Sequence, residues 1–219
     1  MIFFYRLFFL PIFLLFAPFY LRRKLRRDKK IRQWPQYLGF FPKISHTVKD
    51  RTKKRIWVQA GSVGEVLAIE PLIRQLHSSA DVEIILTTTT STGYKEAKKR
   101  YSDISSGIGL FPMDFWLCST LAWSRIQPDV VILAESELWP EHLHQASKKS
   151  VPVFLINARL SDRSYARLKR FHFIARYFIE TIETIYCATQ IDYNRFSDLG
   201  AIPEERIGNI KLDVDFGPA

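Results

Sequence analysis

From residue 56 onward, short β-branched runs alternate with longer amphipathic stretches, and no other feature of the chain restricts its fold as much. Runs at 56–60, 82–87, 130–134, 151–156 and 184–188 read as strands, with 108–110 a weaker sixth, because Val, Ile and Thr cluster there between polar turns. Between them, 65–76, 93–100, 115–126, 141–148, 162–182 and 191–199 carry apolar residues at helical spacing. Parallel neighbours need long connections, and such crossovers are right-handed, so the pattern predicts an α/β fold: a Rossmann-like parallel sheet with helices on both faces. Ligands of such sheets bind beyond the carboxyl ends of the strands, which makes the turns after strands the place to look for chemistry.

The first such turn is Gly61-Ser62-Val63-Gly64-Glu65. It is not the GxGxxG of a dinucleotide site. Its glycines allow close backbone approach, and Glu65 falls in the first turn of a helix, where it either complements the helix dipole or serves a ligand beyond the sheet edge. The second strand runs into Thr87-Thr88-Thr89-Thr90-Ser91-Thr92-Gly93, hydroxyls that cap the next helix or hold a polar or phosphorylated ligand. The fourth runs directly into Glu135-Ser136-Glu137-Leu138-Trp139-Pro140. Two carboxylates straight after a buried strand are costly unless solvated, paired or functional, and Arg159, in the turn after the fifth strand, is a candidate partner for them.

The charge is divided unevenly. Residues 1–55 hold 15 of the 32 lysines and arginines against Asp28 and Asp50, while the remainder carries 17 basic and 20 acidic side chains. The globular part is therefore mildly acidic, which argues against nucleic acid as a partner. Cys118 and Cys187 form no CxxC, no HExxH occurs, and His142 and His144 are two apart, so no metal site is expected. The run IFFYRLFFLPIFLLFAPFYL, from 2 to 21, has the length of a bilayer crossing and one charge, Arg6, placed to snorkel to the interface. It is followed by eight basic side chains within 22–32. By the positive-inside rule, this predicts an N-terminal membrane-anchoring helix with the globular part on the cytoplasmic side of the inner membrane, in contact with its lipids. The expected organisation is a membrane anchor at 1–21, a basic juxtamembrane linker at 22–55 with aromatics that lie on headgroups, and a Rossmann-like domain at 56–207.

GSVGE at 61–65, TTTTSTG at 87–93, FPMD at 111–114, ESELWP at 135–140, NARLSDRS at 157–164 and GNIKLD at 208–213 follow one another as they do in 3-deoxy-D-manno-octulosonic acid (Kdo) transferases, which the chain resembles over nearly its whole length. The resemblance implies the N-terminal, acceptor-binding half of an inverting, two-domain GT-B glycosyltransferase that moves Kdo from CMP-Kdo to a lipid A precursor in lipopolysaccharide biosynthesis, without a cofactor or a metal. It implies Glu65 as general base, and Glu135 and Lys211 as groups that stabilise the transition state. Gly61, Ser62, Gly64, Thr90, Thr92, Glu137 and Arg159 become candidate acceptor contacts. Family members carry a second domain for the CMP-sugar, and here 208–219 would begin the hinge to it. The expectation is therefore a donor half that is missing or separate. The alternative is a non-catalytic, membrane-tethered acceptor-binding module or a gene remnant.

Overall fold

The computed structural model describes residues 33–41 and 53–204, together with 2, 3, 5–7, 11, 15, 16, 18, 19 and 22 of the N-terminal segment. Six strands form one sheet: β1 (Lys54–Gln59), β2 (Val82–Thr88), β3 (Gly107–Leu110), β4 (Val130–Ala134), β5 (Val153–Ala158) and β6 (Thr184–Cys187). Every pairing is parallel and the order is β3-β2-β1-β4-β5-β6. Eight helices of the described residues cover it: α1 (Val63–Ala68), α2 (Glu70–His77), α3 (Ser91–Tyr101), α4 (Trp116–Ile126), α5 (Pro140–Lys148), α6 (Asp162–Arg170), α7 (His172–Ile179) and α8 (Gln190–Asp198).

Alternation along the strands sends successive side chains to opposite faces, and each face has its own core. On one side Trp57, Ile85, Leu133 and Leu155 pack with Trp123 of α4, Leu143 of α5 and Phe178 of α7. On the other, Ile56, Val58, Leu86 and Ile132 pack with Val66 of α1, Ile73 of α2 and Tyr101 of α3. The order reverses between β1 and β4, because the chain leaves β1 toward β2 and later returns to β1's other side with β4. That reversal opens a crevice at the carboxyl ends of β1 and β4, the position where open α/β sheets hold ligands.

The helix expected over 65–76 is two helices. Pro71 has no N–H to continue the ladder, and the chain restarts as α2 with that proline in its first turn. The stretch 162–182 also divides, at Phe171, whose φ of −113° and ψ of 44° leave the helical region.

The N-terminal expectations need correction. Among the described residues no helix is long and apolar enough to cross a membrane, which overturns the transmembrane anchor and the inner-membrane location drawn from it. Much of 2–21 lies outside the described residues, as do 23–32 of the basic run. Where the segment is described, its polar groups are engaged by the domain. Tyr5 Oη donates to Asp114 Oδ2 at 2.8 Å, and the Arg6 guanidinium donates to both oxygens of Glu141, at 2.7 and 2.9 Å. Arg6 thus has a buried carboxylate as its partner instead of a lipid interface, a pairing that a hydropathy pattern cannot reveal. Residues 33–41, expected on headgroups, pack on the domain: Trp34–Leu38 forms a 3-10 helix, and Tyr37 and Phe41 are buried. Gln36 Oε1 accepts the N–H of Leu110 on the outer edge of β3.

Candidate active site

The turn after β1 brings Glu65 to the crevice. Ser62 caps α1, and its hydroxyl donates to Glu65 Oε1 at 2.8 Å, while the Gly61 N–H donates to Glu65 Oε2 at 2.7 Å. The Ser-x-x-Glu spacing is that of a capping box, so the dipole-complementing reading of Glu65 is realised locally. Each carboxylate oxygen can accept more than one hydrogen bond, which leaves the group able to bind a further proton donor. Glu65 is 8% exposed. Burial pushes its carboxyl above the ordinary range; the Gly61 and Ser62 donors oppose this, and the charges of Glu137 and Glu135 add to it.

Glu137 lies over the same turn. Its Oε2 accepts from Trp139 Nε1 at 2.7 Å, Gln59 Nε2 at 3.0 Å and Thr89 Oγ1 at 3.3 Å. Gln59 is anchored from below, since its Oε1 accepts from Thr87 Oγ1, which in turn accepts from Trp57 Nε1. A file of hydrogen bonds thus runs from the core indole to the carboxylate. Gly61 makes the approach possible: a Cβ there would meet Glu137 Oε1 at 2.6 Å and Thr89 Oγ1 at 3.2 Å. Among the described residues, no lysine or arginine forms an ion pair with Glu65 or Glu137.

The remaining candidates are placed unequally. Thr90 caps α3 and its hydroxyl donates to the Gly61 carbonyl at 3.1 Å, so it braces the turn. Gly64 and Thr92 are exposed, Gly64 in the first turn of α1 and Thr92 in that of α3. Glu135 follows β4 with φ 58°, its N–H bonded to the Ile156 carbonyl and its Oε1 3.4 Å from Asn157 Nδ2. Arg159 donates its backbone N–H to the Glu135 carbonyl, makes no ion pair with a described residue, and has a buried Nε without a partner. Lys211 lies outside the described residues. Gly61, Ser62, Glu65, Thr90 and Glu137 therefore come together, with Glu135 and Arg159 tied to the neighbouring strand end. Gln59, Thr89 and Asn157 were not singled out from the sequence. The available signal was a polar residue ending an otherwise apolar strand, as Gln59 does. No group of three or more His, Cys, Asp or Glu among the described residues could hold a metal ion.

Sheet order and switch point define a Rossmann-like domain of the GT-B type. Residues 32–214 match the family described as 3-deoxy-D-manno-octulosonic-acid transferase (kdotransferase), and the chain belongs to that family. It is 34% identical over 164 residues to the 3-deoxy-D-manno-octulosonic acid transferase of Haemophilus influenzae, covering 73% of this chain and 38% of that protein. It is 33% identical over 167 residues to a bifunctional glycosyltransferase/methyltransferase of Fusobacterium nucleatum, covering 75% and 26%. The chain thus spans between about a quarter and two fifths of the length of these relatives. Among solved structures, it resembles a UDP-GlcNAc 2-epimerase from Neisseria meningitidis bound to UDP-GlcNAc, with TM-score 0.52, 13% identity and coverage of 73% and 48%. An S. aureus MnaA–UDP structure gives TM-score 0.53, 14% identity and coverage of 76% and 49%. At those identities the likeness speaks for the fold alone.

Proposed function

We propose that this chain is the acceptor-binding half of an inverting Kdo transferase, in which Glu65 is the general base. Residues 56–207 are the acceptor domain and 208–219 lead toward the half that holds CMP-Kdo. A hydroxyl of the lipid A precursor attacks the anomeric carbon of Kdo, its proton passes to Glu65, and the bond to the CMP phosphate breaks. Inversion needs a base on the side of the incoming hydroxyl, and a carboxylate on a rigid turn with raised proton affinity suits that work. Glu135 and Lys211 stabilise charge in the transition state, Lys211 by neutralising the charge that develops on the departing phosphate. Gly61, Ser62, Gly64, Thr90, Thr92, Glu137 and Arg159 surround the acceptor. The observation that carries the reading is the Glu65 carboxylate held between the Gly61 N–H and the Ser62 hydroxyl at the switch point.

The same hydrogen bonds favour a second reading. Both Glu65 oxygens are already engaged in a cap, as suits a module that binds acceptor without transferring to it. The deciding experiment combines the purified full chain with the separately purified donor half of a related Kdo transferase and gives the pair CMP-Kdo and tetra-acylated lipid A precursor, alongside the same pair carrying Glu65→Gln. The first reading expects transfer that falls about 10²–10⁴-fold in the variant with precursor binding retained. Transfer that survives the substitution removes Glu65 as the base, and precursor binding without transfer by the wild type leaves the module.

A further inference from the structure

We propose that Asn157 is a positioning residue that sets the orientation of the Glu135 carboxylate at the sheet edge. The proposal rests on reading Glu135 as a group of the transfer site, and its observations come from β5. Asn157 has φ 50°, and Glu135, across the strand pair, has φ 58°. Left-handed backbone is uncommon for residues other than glycine, asparagine and aspartate, so Glu135 is held against local preference, and it faces a second left-handed residue at the carboxyl end of the adjacent strand. The pairing of β5 with β6 shifts register between Leu155 and Ala158, the stretch that contains Asn157. An irregularity of this kind re-aims the side chain it carries, and bulges are frequent beside active sites.

The aim of the side chain is visible. Asn157 is 2% exposed, its Nδ2 donates to Glu135 Oε1 at 3.4 Å, and its Oδ1 is buried with no hydrogen-bond partner. Glycine would adopt the same backbone and bury no unsatisfied oxygen, so conformation alone does not explain an asparagine here. The donor to Glu135 does. The main chain of Glu135 is fixed by the bonds from its N–H to the Ile156 carbonyl and from the Arg159 N–H to its own carbonyl, one on each side of Asn157 in β5. A side-chain amide placed between these two bonds extends the constraint from the Glu135 backbone to its carboxylate.

The test separates backbone from amide. Asn157→Gly keeps the left-handed turn and removes the donor; Asn157→Asp keeps the shape and replaces the donor with an acid. Crystal structures of the full chain and of Asn157→Gly are expected to superpose in the backbone, with the Glu135 carboxylate displaced or spread over several positions in the variant. In the transfer assay kcat falls about 10²-fold with little change in KM, the effect of a misplaced group and not of lost binding. Asn157→Asp regains placement toward acid pH, and its rate relative to wild type at the same pH recovers there, because one proton shared between the two carboxyls restores a hydrogen bond; both are lost near neutrality. An unmoved Glu135 in the glycine variant, or a glycine variant as active as wild type, overturns the proposal. A wild type without transfer counts against the function proposed above and leaves the two crystal structures to decide on Asn157. Should the glycine variant fail to fold, the aspartate variant carries the same readout through its pH dependence.

Discussion

Asp114 and Glu65 are buried to almost the same degree, 7% and 8% exposed, and burial is the first cause of a raised proton affinity in both, yet they stand in different surroundings. Asp114 is pushed up to about 7. Its Oδ1 accepts the backbone N–H groups of Glu141 and His142 in the first turn of α5, and its Oδ2 accepts from Tyr5. Beside it, the Glu141 carboxylate is matched by the Arg6 guanidinium. Its hydrogen bonds with described residues all go to a helix start and to the N-terminal segment. Glu65 has neutral donors on its own turn and two further carboxylates nearby, at the crevice between β1 and β4. A displaced titration alone therefore does not tell the two acids apart. Location at the switch point, with the charges of Glu137 and Glu135 nearby, distinguishes the surroundings of Glu65 from those of a group that fastens a helix.

The contrast can be broken at several points. The largest effect expected is on the pH dependence of stability. Asp114 binds its proton more tightly folded than unfolded, so its contribution is complete below about pH 4 and is lost as pH rises through about 7, by at most ~4 kcal/mol. Urea midpoints measured from pH 4 to 8 should fall with rising pH in the wild type, and less steeply in Asp114→Asn. A wild-type profile that rises over that window would place the shift elsewhere. Arg6→Met should cost about 2–3 kcal/mol in the same denaturation experiment, below the ~3–5 of a fully buried pair because Arg6 is 37% exposed. A loss under ~0.5 kcal/mol would mean that the N-terminal segment does not neutralise Glu141.

Smaller changes are expected at the crevice. Gly61→Ala drives a methyl group into Glu137 and should cost about 1–3 kcal/mol, read as a lower thermal midpoint. Glu137→Gln should alter stability by no more than ~0.5 kcal/mol. Its signature is in titration: removing a neighbouring negative charge lowers the proton affinity of Glu65, so the acid limb of the transfer profile moves to lower pH. A limb that stays in place would mean that Glu137 does not contribute to the raised proton affinity of Glu65.

The strands were legible because a buried parallel strand is an almost continuous β-branched run; 130–134 coincides with β4 residue for residue, and the other strands differ by one or two residues at one or both ends. Helix breaks were less so. Pro71 could have been weighed as an interruption, while the break at Phe171 has no comparable residue to announce it. Within the site, Glu65 and Glu137 were visible because carboxylates next to strand ends are costly. Thr89 was passed over for Thr90 and Thr92, since period alone does not say which hydroxyl of a threonine run turns toward β1. Asp114 was seen only as part of a motif, because its bonds join residues 109 and 27 positions away in the chain. The paired state of Arg6 has the same origin.

The short segment at 33–41 has a consequence for how these molecules meet one another. A sheet margin with open N–H and C=O groups is a template on which another chain can add a strand. Along β3 the amide of Gln36 occupies the Leu110 donor, and the ring of Phe41 lies so close over Gly109 that no larger residue would fit beneath it. Nine residues that make no strand themselves thus act as a hem. A neighbouring copy approaching this margin meets a spent donor and an aromatic ring, and the sheet ends where the fold requires it to end.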